Sequence, residues 1–358
     1  MKRIATQVAI ICILLARVSA AQEYRAVDLG TLPGDTCSYG YSGNVIGEVA
    51  GISWDCYASD VDAKHAFLWS KAKGMVALGT FSGGDGMAYA HSVNNWSQVV
   101  GSAEIVESTS PWFATEHAFL WTARDGMKDL GALPGDDFSL ATSINDRGEV
   151  VGYSRPEMFS GTTRWFIWDK RNGMREIPTG SQLNSEPFIN EFTQVAGADF
   201  LWTSRNGLLN LGTLSSSSVS FATGINDFGH IVGFSQNNLD FSEHAFLWSK
   251  EEGMRDLGTL PGQNYSYANG ISDFGQVVGQ AGTSANPFGL AGFIWTRGLG
   301  MRDLNKLTSH RSGWYITEAT AVSQLGQIVA YQAKYPVAPP PPGGFPSAVV
   351  HATLLTHR

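Results

Sequence analysis

Residues 115–135, TEHAFLWTARDGMKDLGALPG, and residues 242–262, SEHAFLWSKEEGMRDLGTLPG, are near copies of one another. Internal repetition constrains the fold more than any composition, because each copy must then be one supersecondary unit that stacks on the next. Aligning on the leucine of "DLG" finds the unit seven times, at Leu29, Leu78, Leu130, Ile177, Leu211, Leu257 and Leu304, with intervals of 49, 52, 47, 34, 46 and 47 residues.

Each unit has the same internal order. A turn such as Pro33-Gly34, Pro134-Gly135 or Pro261-Gly262 comes first, with Pro presetting φ and Gly supplying positive φ. A run of small and branched residues follows, for example FATGIND at 221–227, and then a hairpin signal of the type Asn226-Asp227-x-Gly229. After the second run and an insert of variable length come HAFLW, a turn ending in Gly-Met, and DLG, which makes four short strands. In HAFLW, His244, Phe246 and Trp248 alternate with Ala245 and Leu247, so both faces of the strand are apolar and both should be buried. A four-stranded sheet covered on both faces by copies of itself is a propeller blade.

The last unit supplies only three strands before the chain stops, and one strand, EYRAVDLG at 23–30, is left over at the start. The expected fold is therefore all-β, a single β-propeller of seven four-stranded blades whose N-terminal strand completes the last blade. Six or eight blades, or an open β-solenoid, are the alternatives, and a solenoid has no use for the leftover strand.

Lys2 and Arg3, the apolar run 9–16 and the small residues before Gln22 read as a signal peptide over 1–21, cleaved to leave a secreted or periplasmic propeller over 22–358. Its removal lowers Lys+Arg from 24 to 21 against 32 acids, so the net charge moves from −8 to −11. No basic patch for nucleic acid is visible, and nothing in the mature chain is long and apolar enough to span a membrane. Cys37 and Cys56 are the two cysteines left, and an oxidising compartment makes them a disulfide.

The recurrent HAFLW, GM.DLGTLPG and IND.G.VVG segments resemble the HAF-repeat family of predicted bacterial extracellular proteins. Three units carry the whole signature (His65, His117 and His244, with Trp69, Trp121 and Trp248), three keep only the strand-end tryptophan (Trp168, Trp202 and Trp295), and the last keeps His351. The resemblance implies a secreted β-propeller-like array and brings no catalytic residues.

His fills its slot in four of seven units and Trp in six, the behaviour of a packing position with an optional hydrogen bond, to the Asn-Asp hairpin of the same blade, rather than of a metal site. No nucleophile-elbow, zinc-protease or phosphate-loop motif occurs, so no catalytic residue, metal or cofactor is assigned. Length variation gathers at one end of the ring, where the loops after second strands and between blades fall, while the repeated hairpins make the other end the structural one. On the variable end Trp54, Tyr57, Trp112, Phe113, Phe159, Phe241, Tyr265 and Phe288, with Asp35, Asp85, Asp136 and Asp137, compose a candidate ligand surface. The reading is a monomeric, non-catalytic module for an extracellular glycan or protein. A glycoside hydrolase or polysaccharide lyase on the same face, or a structural matrix protein, are the alternatives.

Overall fold

The computed structural model describes residues 24–57, 64–81, 86–105, 115–157, 161–179, 185–216, 218–283, 286–309, 313–334 and 348–358. Seven antiparallel sheets form a ring, each following the chain from an inner strand outward; in blade 1 these are Cys37–Gly43, Val49–Trp54, Lys64–Ser70 and Gly74–Ala77. The ring closes as expected. Tyr24–Asp28 pairs antiparallel with Val349–His357 and becomes the outer strand of blade 7, where Tyr24 lies opposite His357 and Asp28 opposite Thr353. That blade differs from the repeat in one respect, a short fifth strand, Thr308–Ser309, lying parallel to Tyr24–Asp28 after a single helical turn at Leu304–Leu307.

The core is seven layers, one between each pair of neighbouring blades. Leu29, Val49, Phe67 and Trp69 of the first blade pack on Val329, Ala352 and Leu354 of the last, and equivalent layers recur around the ring. The aligning leucines explain their own persistence: all seven positions are buried, because each carries the chain across the boundary into the next blade. The two-faced burial of HAFLW is also present, with Ala245 and Phe246 fully buried and Trp248 nearly so.

The "VVG" glycine has a specific cause. The inner strand carries a β-bulge, between Ala141 and Ser143 in blade 3, which swings a carbonyl beneath the second strand. A Cβ on Gly152 would lie 2.0 Å from the Leu140 oxygen, and one on Gly101 would lie 1.7 Å from the Tyr89 oxygen. Only glycine fits there.

The hairpins cap themselves and also join the blades. The Asn145 side-chain oxygen accepts from the backbone N–H groups of Arg147 and Glu149, and Gly148 takes φ +73° as the turn requires. Its amide nitrogen donates 3.1 Å to the Asn190 carbonyl of the next blade, and Asn44, Asn94, Asn190 and Asn226 repeat the bond. A second belt runs beside it, in which Asn95, Asp146, Glu191, Asp227, Asp273 and Gln324 each accept the backbone N–H of the preceding blade's hairpin. The N-D signature thus serves both the turn and the ring.

Candidate binding site in the central channel

The inner strands wall a central channel. Counting back from the hairpin Asn or Ser, the third residue of each unit is Tyr41, His91, Thr142, Pro187, Thr223, Asn269 or Thr320, and in every blade but the fourth it is the bulge residue. Six of these seven line a cavity of about 210 Å³ in the channel's hairpin half, which residues from all seven blades enclose. Where the residue is Thr or Asn it bridges blades: Thr223 donates 2.6 Å to the Ala268 carbonyl, Thr320 2.8 Å to Gly40, and Asn269 3.1 Å to Ala319. Tyr41 and His91 break this pattern. Their rings pack at a tilt with centroids 4.9 Å apart, and the His91 Nε2 is buried without a hydrogen-bond partner among the described residues. Burial holds the His91 pKa down to about 4.

One layer nearer the variable end, two residues earlier on the same strands, the wall becomes aromatic and acidic. Tyr39, Tyr89, Phe221 and Tyr267 occupy this layer, with Glu318 in blade 7. The Tyr39 hydroxyl donates 2.9 Å to Glu318, whose other oxygen accepts 2.8 Å from Asn269, and Tyr331 packs on Tyr39 at 5.1 Å. Burial raises the Glu318 carboxyl pKa against the two hydrogen bonds that favour its charge. The Tyr39 hydroxyl moves far up for the same reason, burial first and then the facing carboxylate. Across the channel Glu186 keeps surface open to solvent, yet the surrounding protein desolvates it enough to raise its pKa. Both carboxylates act on Tyr41, which burial and then Tyr89, Glu186 and Glu318 push up.

Two further aromatic groups extend the wall. Phe138 and Tyr153 stack at 6.0 Å with the Arg155 guanidinium over both rings. Burial and the nearby Glu186 and Glu116 charges push the Tyr153 hydroxyl up to about 12. In the next sector Phe221, Phe234, Tyr267 and Tyr265 form a chain of ring contacts, and Tyr267 donates to Glu243.

Of the residues singled out in the sequence, Tyr265 belongs to this wall. Tyr57, Phe241 and Asp137 are exposed on the variable end, and Trp54 packs around the Cys37–Cys56 disulfide, whose Cα atoms are 5.7 Å apart. Asp85, Trp112, Phe113 and Phe159, and the side chain of Phe288, lie outside the described residues.

Asp35 and Asp136 are engaged with neighbouring side chains of the protein. The Asp35 side chain is buried and pairs with the His65 Nδ1 at 3.1 Å; the Asp136 side chain is buried and accepts from Ser154 and, at 2.8 Å, from Arg164. Arg164 stands in blade 3 where four other units have His, so the pairing survives the exchange of His for Arg. The remaining histidines find the aspartate of "DLG": His117 with Asp129 at 3.0 Å, His244 with Asp256 at 2.8 Å and His351 with Asp28 at 2.8 Å. A bond from His to the hairpin of its own blade is ruled out by the topology, because the His begins its strand at the opposite end.

The wall residues that the sequence did not mark are not in the variable loops: Tyr39, Tyr41, His91, Glu318 and Tyr331 lie within strands and Glu186 just before one. The signal was present all the same. The bulge slot is Thr in three units, and Tyr41 and His91 are the two aromatic departures from it.

Among the described residues no three His, Cys, Asp or Glu side chains are arranged to hold a metal ion, and no helix is long and apolar enough to cross a membrane. No family model matches the chain, and no curated protein matches it in sequence. Solved structures do. The chain is similar to a streptogramin B lyase (TM-score 0.56, 8% identity, covering 94% of this chain and 98% of that one). It is also similar to virginiamycin B lyase from Staphylococcus aureus (0.52, 11%, 93% and 100%). A third match is the extracellular domain of a putative one-component system from B. thetaiotaomicron (0.51, 9%, 93% and 40%). At these identities the likeness is one of fold, the seven-bladed propeller.

Proposed function

We propose that this chain is an exported, non-catalytic propeller of HAF-type repeats that binds a glycan at the variable end of its channel. The observation that carries the reading is the wall around Glu318: half-buried tyrosines on neighbouring blades, with a carboxylate already held by a phenol and an amide. Aromatic faces stack on the C–H faces of sugar rings, while oriented carboxylates and amides take hydroxyls. The disulfide supports export, since such bonds persist in oxidising compartments.

The test is a glycan array probed with the purified protein, followed by titration of the best ligand against Tyr39→Ala and Tyr331→Ala. Removal of one stacking ring is expected to weaken binding about tenfold or more. A protein that binds no glycan, or whose variants bind as the parent does, contradicts the reading.

A hydrolytic or lyase reading has one observation in its favour: Glu186 and Glu318 both carry raised pKa values and both act on Tyr41. Turnover of an array-positive glycan, lost in Glu318→Gln and in Glu186→Gln, would establish it; binding without turnover supports the non-catalytic module.

A further inference from the structure

The hairpin end carries a feature that the ring itself does not need. Ile46, Trp96, Phe192, Phe228, Phe274 and Leu325 hold the same place in six hairpins, second after the Asn or Ser, and each is 65–75% exposed. Hairpin tips are ordinarily polar or glycine. Here the slot is apolar in six copies, and the seventh copy has Arg147. Equivalent positions in a closed ring lie at one height, so the tips form a flat apolar circle. The Trp96 indole is fixed in it by a 2.9 Å bond from Nε1 to the Asp146 carbonyl.

Charge is distributed around this circle in a definite way. The six turns that join third to outer strands, at 70–73, 122–125, 169–172, 203–206, 249–252 and 296–299, lie outside it on the same end. They hold eight Lys and Arg against four Asp and Glu, the reverse of the 24 to 32 balance of the whole chain. Lys71, Lys73, Arg124, Lys170, Arg171 and Arg205 are exposed there. The hairpin acids are less available. Asp146, Glu191, Asp227 and Asp273 are half-buried and turned sideways onto neighbouring backbone N–H groups, while Glu48 and Glu149 accept from Ser97 and Thr193 of the next blade.

We propose that this end docks on the surface of an anionic phospholipid bilayer. The apolar tips enter the interfacial layer and the basic outer turns meet the lipid phosphates, the pairing by which peripheral proteins hold anionic membranes. A second copy stacked face to face would set one basic rim against another, so charge favours the lipid surface.

The test is co-sedimentation with vesicles of phosphatidylcholine alone and of phosphatidylcholine with phosphatidylglycerol, using protein whose N-terminus has been read by mass spectrometry. Binding is expected on the anionic vesicles, falling with salt. The Phe228→Ser/Phe274→Ser double variant should lose about tenfold or more in partitioning, from the apolar area removed. Lys170→Gln/Arg171→Gln should weaken binding to the anionic vesicles only. Both pairs are at exposed positions, and thermal melts are expected to match the parent. No binding to anionic vesicles overturns the proposal, as does binding indifferent to the phenylalanine pair. A dimer in sedimentation velocity that the same pair abolishes, without vesicle binding, overturns it in favour of self-association.

Discussion

The two ends of the ring are made of the same strands and differ in what the repeat does there. At the hairpin end the copies agree, and agreement produces continuous structure: two belts of hydrogen bonds run from blade to blade through Asn44, Asn94, Asn145, Asn190 and Asn226 and their neighbours. At the variable end the copies diverge, and divergence produces a wall of unlike groups, Tyr39 and Glu318 in one sector, Phe138, Tyr153 and Arg155 in another, Tyr265 and Tyr267 in a third. The same distinction exists inside a single slot. Threonine at the bulge position is a structural bridge in three blades, and where blades 1 and 2 replace it with Tyr41 and His91 the bridge is lost and a half-buried, polar, chemically distinct pair appears. Repetition in this molecule marks what holds the ring, and departures from it mark what the ring holds.

The sharpest ways to break the comparison act on the repeated parts. Gly152→Ala puts a methyl 2.0 Å from a backbone oxygen, so the inner strand of blade 3 must move; a loss of about 3 kcal/mol or more is expected from urea denaturation. Reduction of Cys37–Cys56 frees a separation of 19 residues at the variable end, and about 3 kcal/mol should be lost in the same assay. The channel wall, by contrast, should show itself through pH. His91 has a folded pKa of about 4 against an ordinary 6.5, so the unfolded chain takes up the proton first as acid is added. Stability should therefore be intact above pH 6.5 and fall as pH drops toward 4, by up to about 3 kcal/mol from this group. His91→Thr, which restores the residue of three other blades, should remove that component, so the difference between the two stability profiles isolates it from the carboxylates. An unchanged acid limb in the variant would show that His91 is not buried neutral.

Smaller effects sharpen the contrast within the repeat. Asn145→Ala should cost about 2 kcal/mol, because a buried amide that serves its own turn and the next blade is lost together. Asn145→Ser should cost less, as blades 6 and 7 use Ser272 and Ser323 in that place. His244→Ala should cost under about 1 kcal/mol by thermal melt, since its partner Asp256 is half-exposed and water can replace the contact.

Most of the fold was legible because the physics that decides it is periodic. Seven buried leucines, a two-faced HAFLW strand and an orphan strand at 23–30 leave few ways to close a chain. The hairpin Asn was readable as a turn residue, but its bond to the next blade was not, because its partner lies 36–51 residues away and is a backbone carbonyl that any sequence supplies. The His–Asp pairs were only partly legible: the acid lies 12 residues after the His in blades 2 and 5, but comes from the N-terminal strand in blade 7 and from the preceding turn in blade 1, so one spacing does not mark all four. The channel wall was missed because its residues sit inside strands, where an aromatic reads as core, and only the ring places them around a shared opening.

The measurement that bears most directly on this division of labour is amide hydrogen–deuterium exchange of the protein with and without a saturating glycan chosen from the array. Binding at the channel mouth predicts new protection in the inner strands at 37–41, 87–91, 265–269 and 315–320, with the hairpins at 44–48, 145–149 and 226–230 unchanged. Protection confined to the hairpins, with the inner strands exchanging as before, would contradict it.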